Sequence, residues 1–259
     1  MTRRRSARIM RGVYLALLMA FMYLPILVMV SLSFNGSTSR SAWGGFTLDW
    51  YYKLLQDEAV IESLKVTLSI AVVASAVATV IGTAAAIGIH SMKKGWSAAM
   101  INVSYLPMTT PDIVTGVSLM LMFVFVNIRL GYLTMLLAHI AFCIPYVMFS
   151  VLPRLRLMNP NMYEAALDLG CKPGQAIWKV IVPEVKQGIT AGALLAFTMS
   201  IDDFVISYFT SNTAQNLSML VYSAARRGIQ PTMFALSTLM FVTVLLLLLL
   251  VNRKAQLIE

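Results

Sequence analysis

Charge is scarce in this chain: Asp, Glu, Lys and Arg make up only 12% of its 259 residues, against about a quarter in soluble domains. With 59% of residues hydrophobic, a water-soluble fold could not cover the apolar surface, so the composition excludes a soluble enzyme or binding module. Cysteine is nearly absent. Cys143 falls inside an apolar run and Cys171 in a polar stretch, which argues against a disulfide between them. His90 and His139 are the two histidines, and neither has a carboxylate or thiol at ligand spacing, so no metal site is expected and both suit helix packing. GxSxG, HExxH and clustered Cys/His patterns are missing, so no catalytic residue is nominated. The GxxxxGK[ST] phosphate loop is missing too, so the chain is not expected to bind ATP itself. No internal repeat is evident.

What is present is a set of long apolar runs. Six reach the ~20 residues that a helix needs to cross a bilayer: Val13–Phe34, Val66–His90, Met100–Val126, Gly131–Pro153, Ile189–Phe209 and Thr232–Val251. They predict an all-α integral membrane protein with a basic N-terminus over 1–12, a six-span domain over 13–251, a long polar loop at 154–188 and a tail at 252–259. The first run is longer than a signal-peptide core and has no small-x-small cleavage site, so it reads as a retained anchor. Lys and Arg set the orientation. Arg3, Arg4, Arg5, Arg8 and Arg11 precede the first span; Lys93 and Lys94, the group Arg154, Arg156, Lys172, Lys179 and Lys186, and Arg253 with Lys254 fall on the same side. Only Arg40, Lys53, Lys65, Arg129, Arg226 and Arg227 fall opposite. Both termini and the 154–188 loop are therefore expected in the cytoplasm. The net charge of +9 reflects this topology and calls for no nucleic-acid partner.

Between the spans, residues 35–65 form the longest outer loop. It is irregular from Gly36 to Gly45, and Thr47 then caps an aromatic-rich helix through Trp50, Tyr51 and Tyr52. That helix is either an interfacial anchor or a platform for an external partner. Ala74, Ala78, Gly82 and Ala86 line the second span at the spacing that lets membrane helices pack closely. Pro107 and Pro111 bracket Met108-Thr109-Thr110 and free backbone groups at membrane depth, which only protein or water can satisfy. Thr110-Pro111-Asp112 reads as cap, first-turn proline and first-turn acid, so Asp112 either answers the dipole of a restarted helix or meets substrate.

Two features carry more. The first is a short helix in the polar loop, Tyr163-Glu164-Ala165-Ala166-Leu167-Asp168-Leu169-Gly170, followed after nine residues by Val180-Ile181-Val182-Pro183. Asn161 and Glu164 have capping-box spacing; Met162, Ala165, Ala166 and Leu169 form an apolar stripe; Gly170 supplies a left-handed stop and Pro173 opens a second short helix. Two turns are not stable alone in water, so this segment needs a partner surface. The second feature is Met199-Ser200-Ile201-Asp202-Asp203-Phe204-Val205. Each acid costs about 2.5–3.5 kcal/mol at a helix centre, and no Lys or Arg shares the span. Adjacent positions diverge by about 100°, so one acid can face a pathway while the other is held by amides or by hydroxyls such as Ser200 and Ser207. Burial of both as polar glue is the alternative. An unpaired anionic site favours a cationic cargo.

The loop resembles the signature of inner-membrane permease subunits of binding-protein-dependent ABC importers: EAA, three residues, Gly, nine residues, I-x-L-P. Here it reads Glu164-Ala165-Ala166, Gly170 and Val180-Ile181-Val182-Pro183, with Val180 and Val182 as apolar departures. With Thr110–Val114, His139–Pro145 and Phe197–Asp203, the chain is similar in particular to the second (C-type) permease subunit of spermidine/putrescine importers. The resemblance implies the type I ABC importer permease fold in a bacterial cytoplasmic membrane. It implies as partners a second permease subunit, an ATPase dimer that binds ATP and Mg, and an extracytoplasmic polyamine-binding protein docking near Trp43–Tyr52 and Thr210–Arg227. It implies that Glu164, Ala165, Ala166, Asp168, Gly170 and Pro183 couple to the ATPase. Asp202 or Asp203, with Asp112, Tyr208 and Phe209, would then line the pathway and receive the ammonium groups of a polyamine. Permeases for iron, sulfate or thiamine share the loop motif, and a proton-coupled secondary transporter is the alternative from another class.

Overall fold

The structure is a computed structural model that describes residues 2–39, 41–228 and 230–256, with side chains over 10–39, 41–228 and 230–246. Arg40 and residues 257–259 of the expected tail lie outside the described residues. Every regular element among the described residues is helical: α1 (Thr2–Ser33), α2 (Asp49–Gln56), α3 (Glu58–Ser91), α4 (Lys94–Thr109), α5 (Asp112–Phe125), α6 (Tyr132–Leu157), α7 (Met162–Asp168), α8 (Pro173–Ala176), a π-helical turn (Ile177–Ile181), α9 (Val182–Glu184), α10 (Lys186–Asp202), α11 (Val205–Thr210), α12 (Leu217–Arg227) and α13 (Pro231–Gln256). The chain divides into two compact units, Glu62–Leu220 and the residues on either side of it.

Three helices are long and apolar enough to cross a membrane singly: Met10–Ser33, Glu58–Ser91 and Tyr132–Leu157. Two further stretches pass only as bent pairs, so two of the six expected runs are broken rather than continuous helices. The run Met100–Val126 is α4 and α5, joined at 103°. Pro111 has no N–H to continue α4 and disfavours helical backbone at Thr110, which is extended at φ −78°, ψ 138°. Thr110 does not cap α5; its hydroxyl donates to the Leu106 carbonyl at 2.6 Å, and α5 restarts with Asp112 in its first turn. The run Ile189–Phe209 divides at Asp203-Phe204 into α10 and α11, and Pro173–Glu184 meets Lys186–Asp202 at 74°. The described apolar part of the final run, Pro231–Leu246, is shorter than a full span.

In the central unit, α6 is the spine. Its Val147 sits between two glycines of other helices: a Cβ on Gly82 of α3 would fall 2.8 Å from Val147 Cβ, and one on Gly192 of α10 would fall 3.0 Å from Val147 Cα. Ala74, Ala78 and Ala86 of α3 are fully buried, so the small-residue face packs as its spacing predicts. Cys143 lies on the same spine, buried and without a disulfide, its Sγ donating to the Ala196 carbonyl at 3.4 Å.

In the other unit, α1 and α2 pack with α13. Asn35 organises the loop that precedes α2: its Oδ1 accepts from Gly44 N at 2.7 Å, and its carbonyl accepts from the buried Trp50 Nε1 at 2.7 Å. Thr47 Oγ1 accepts from Asp49 N at 3.1 Å at the start of α2. Trp43 and Phe46 remain exposed.

Candidate functional site

The segment expected to couple begins where α6 ends. The expected capping box at its start does not form: Asn161 has helical backbone (φ −84°, ψ −6°) and makes no side-chain cap. A capping side chain needs an extended backbone to aim back at the first turn; the Asn159 side chain accepts from Asn161 N instead, at 3.0 Å. The apolar stripe also divides. Ala166 is buried, Met162 is half-buried, and Ala165 is exposed, while Leu169 is 87% exposed. Tyr163 packs partly against the central core. Glu164, Ala165, Asp168 and Leu169 therefore share one outward face at i, i+1, i+4 and i+5. Gly170 closes the helix at φ +87°, with its N–H bonded to Leu167 O at 2.9 Å and that of Cys171 to Ala166 O at 3.1 Å. Pro183 follows the π-helical turn. A proline here would clash with a carbonyl four residues back in a regular helix, and the wider turn relieves that clash.

The intramembrane acids have separate surroundings. Asp203 is inward, its side chain 7% exposed. Its Oδ1 accepts from Ile206 N at 3.2 Å, and its Oδ2 from Ser207 N at 2.8 Å and Ser207 Oγ at 2.9 Å. The carboxylate thus takes up the amides left open where α10 breaks and α11 begins. His139 of α6 lies behind it, Nε2 to Oδ2 3.4 Å. The same Nε2 is 2.8 Å from Ser207 Oγ, and Nδ1 is 2.7 Å from Ser200 Oγ. Asn216 completes the cluster: its Nδ2 donates to Asp203 O at 3.0 Å and Ser207 Oγ at 2.8 Å, and its Oδ1 accepts from Met219 N at 2.8 Å. Donors and acceptors balance with the His139 proton assigned to Nε2: Ser200 then donates to Nδ1, and Ser207 accepts twice and donates to Asp203. One network therefore ties α6, α10, α11 and α12.

Asp202, by contrast, is exposed, as is Asp112 at the start of α5. Tyr208 is 49% exposed, and its ring meets Phe209 edge-on, centroids 5.5 Å apart. Phe209 packs towards α5, where a Cβ on Gly116 would come within 3.0 Å of its ring. Sequence reasoning missed Asn216 and did not link His139 to the acids. An Asn just ahead of the Leu217 run is a legible N-cap signal; a histidine some sixty residues from its hydroxyl and carboxylate partners leaves no local trace. Among the described residues no group of three or more His, Cys, Asp or Glu is gathered closely enough to hold a metal ion.

Long apolar helices, apolar stretches broken into bent pairs, a satisfied polar lock beside an exposed acid, and a short helix with an open face are the features of a membrane-embedded transport subunit. The chain belongs to the binding-protein-dependent transport system inner membrane component family, whose model matches residues 78–259. It is 34% identical to the spermidine/putrescine transport system permease protein PotC of Haemophilus influenzae, over 93% of this chain and 94% of that protein. It is 39% identical to the putrescine transport system permease protein PotI of Escherichia coli, over 88% and 84%. In fold it is similar to a chain of a bacterial ABC transporter that imports the acidic polysaccharide alginate, with TM-score 0.76, 16% identity and coverage of 98% and 96%. It is likewise similar to a chain of a bacterial alginate ABC transporter solved in complex with an alginate pentasaccharide-bound periplasmic protein, with TM-score 0.73, 18% identity and coverage of 97% and 94%.

Proposed function

We propose that the chain is the transmembrane permease subunit of an ATP-driven polyamine importer, forming half of the translocation pathway in a six-span arrangement with both termini in the cytoplasm. The observation that carries this is the likeness, at 33–39% identity over 88–93% of the chain, to permeases named for spermidine and putrescine. The exposed Asp202, with no Lys or Arg in the apolar run Ile189–Phe209, supports a cationic cargo. Its partners are a second permease subunit, an ATPase dimer that holds ATP and Mg, and an extracytoplasmic polyamine-binding protein; this chain needs no cofactor of its own. The open face of α7, with Glu164, Ala165, Asp168 and Leu169, seats in a cleft of the ATPase, and the Gly170 stop and Pro183 hold that helix at a set angle to α10. Closure of the ATPase dimer on ATP then moves the coupling helices together and opens the spans outward. Asp202 receives an ammonium group from the docked binding protein, with Tyr208 and Asp112 along the route, and hydrolysis resets the complex for inward release.

The test is ATP hydrolysis by the reconstituted complex with its loaded binding protein. Spermidine or putrescine should stimulate hydrolysis severalfold, whereas sulfate, thiamine or iron-loaded proteins should not. Uptake that proceeds without ATP and responds to a proton gradient would instead identify a secondary transporter.

A further inference from the structure

A cavity of about 420 Å³ opens where α3 and α6 end and α4 begins. Each helix contributes one basic side chain to its lining: His90, Lys94 and Arg156. Ser97 adds a hydroxyl, and Ile101 and the buried Leu152 supply apolar wall. No Asp or Glu lines it. Among the described residues the one carboxylate–cation contact is His139–Asp203, so Lys94 and Arg156 have no acidic partner among them. The start of α4 adds to the same field: it has no side-chain cap and no acid in its first turn, so its first N–H groups and the positive end of its dipole are unanswered. Trp96, in that same turn, is 69% exposed, as suits an aromatic at a membrane interface.

We propose that this cavity binds the headgroup phosphate of an anionic phospholipid. Positive charge concentrated in a recess, with apolar wall beside it and three apolar helices converging on it, fits a negative head attached to an apolar body. Arg156 presents a planar fork to two phosphate oxygens and Lys94 a point charge. His90 and Ser97 donate to the remaining oxygens, and the glycerol and upper acyl chain run along Ile101 and Trp96. The proposal does not depend on the cargo assigned above, because its readout is lipid retention.

The importer complex, purified in detergent and given equal phosphatidylglycerol and phosphatidylcholine, is examined by native mass spectrometry. Phosphatidylglycerol should be retained at least fivefold over phosphatidylcholine, and the double variant Lys94→Gln/Arg156→Gln should lose that preference. Lys65→Gln, an exposed cation at the opposite end of α3, should keep it, as should the charge-preserving pair Lys94→Arg/Arg156→Lys. Equal retention of the two lipids by the unaltered complex overturns the proposal without any variant having to fold. So does undiminished preference in the double variant. If millimolar inorganic phosphate displaces phosphatidylglycerol as effectively as added phosphatidylglycerol does, the site is one for free anions and the lipid assignment fails.

Discussion

Asp202 and Asp203 are neighbours in the chain with opposite environments, and substitutions at them should separate cleanly. Asp203 accepts two amides and a hydroxyl at the α10–α11 break. Hydrogen bonds to a charged group contribute about 1.5–3 kcal/mol each. Asp203→Asn should therefore lower the melting temperature of the purified complex by several degrees and reduce its yield. Asp202→Asn, at an exposed position, should leave melting unchanged and raise the polyamine concentration that half-saturates uptake. Melting curves and uptake titrations of the two variants decide the matter; a destabilised Asp202→Asn protein would contradict the assignment. His139 acts through Asp203 and Ser207, so it is a positioning residue. His139→Leu strands Ser200 and part of the Asp203 carboxylate in a buried setting and should destabilise by about 1–3 kcal/mol, whereas His139→Gln, which keeps a donor near Nε2, should recover part of the loss.

At the scale of elements, α7 is held to the core by one face and left open on the other. Glu164→Ala removes charge from the open face without touching the buried Ala166, so the variant should insert normally yet lose ATPase association, read by co-purification of the ATPase. Retention of the ATPase together with full uptake would contradict a coupling role. Gly170→Ala should cost about 1–2 kcal/mol at that turn, because its φ of +87° is unfavourable for a residue with a Cβ. Gly192→Leu is expected to be more severe: α10 cannot approach α6 when Val147 already occupies the space. Protease sensitivity of the membrane-inserted variant reports that loss of packing.

For the whole molecule, the orientation drawn from Lys and Arg makes a prediction that the two cysteines can test. Cys171 is half-buried between α7 and α8, while Cys143 is buried in α6. A membrane-impermeant maleimide should label Cys171 in inverted vesicles and not in intact right-side-out cells, and Cys143 in neither. Labelling of Cys171 from outside would reverse the topology and, with it, the side on which the ATPase docks.

The sequence by itself determined the membrane class, the helical composition and the short helix α7 with its glycine stop, because those follow from local properties. Apolar run length sets what enters a bilayer, small residues at regular spacing set a close-packing face on α3, and the α7 stop needs little beyond Gly170. Tertiary structure decided where the long runs break and what surrounds each acid. Pro107 and Pro111 signalled trouble at α4–α5, but the 103° bend depends on packing partners. The break at Asp203 carried no proline at all; it is stable because Asp203 itself takes up the amides of Ile206 and Ser207, while His139 and Asn216 arrive from other segments to satisfy Asp203 and Ser207 in turn. Hydrogen bonds within a helix are written in neighbouring residues. The bonds that His139 and Asn216 add around the broken helix depend on which elements the fold brings together, and that separates the buried lock at Asp203 from the exposed acid at Asp202.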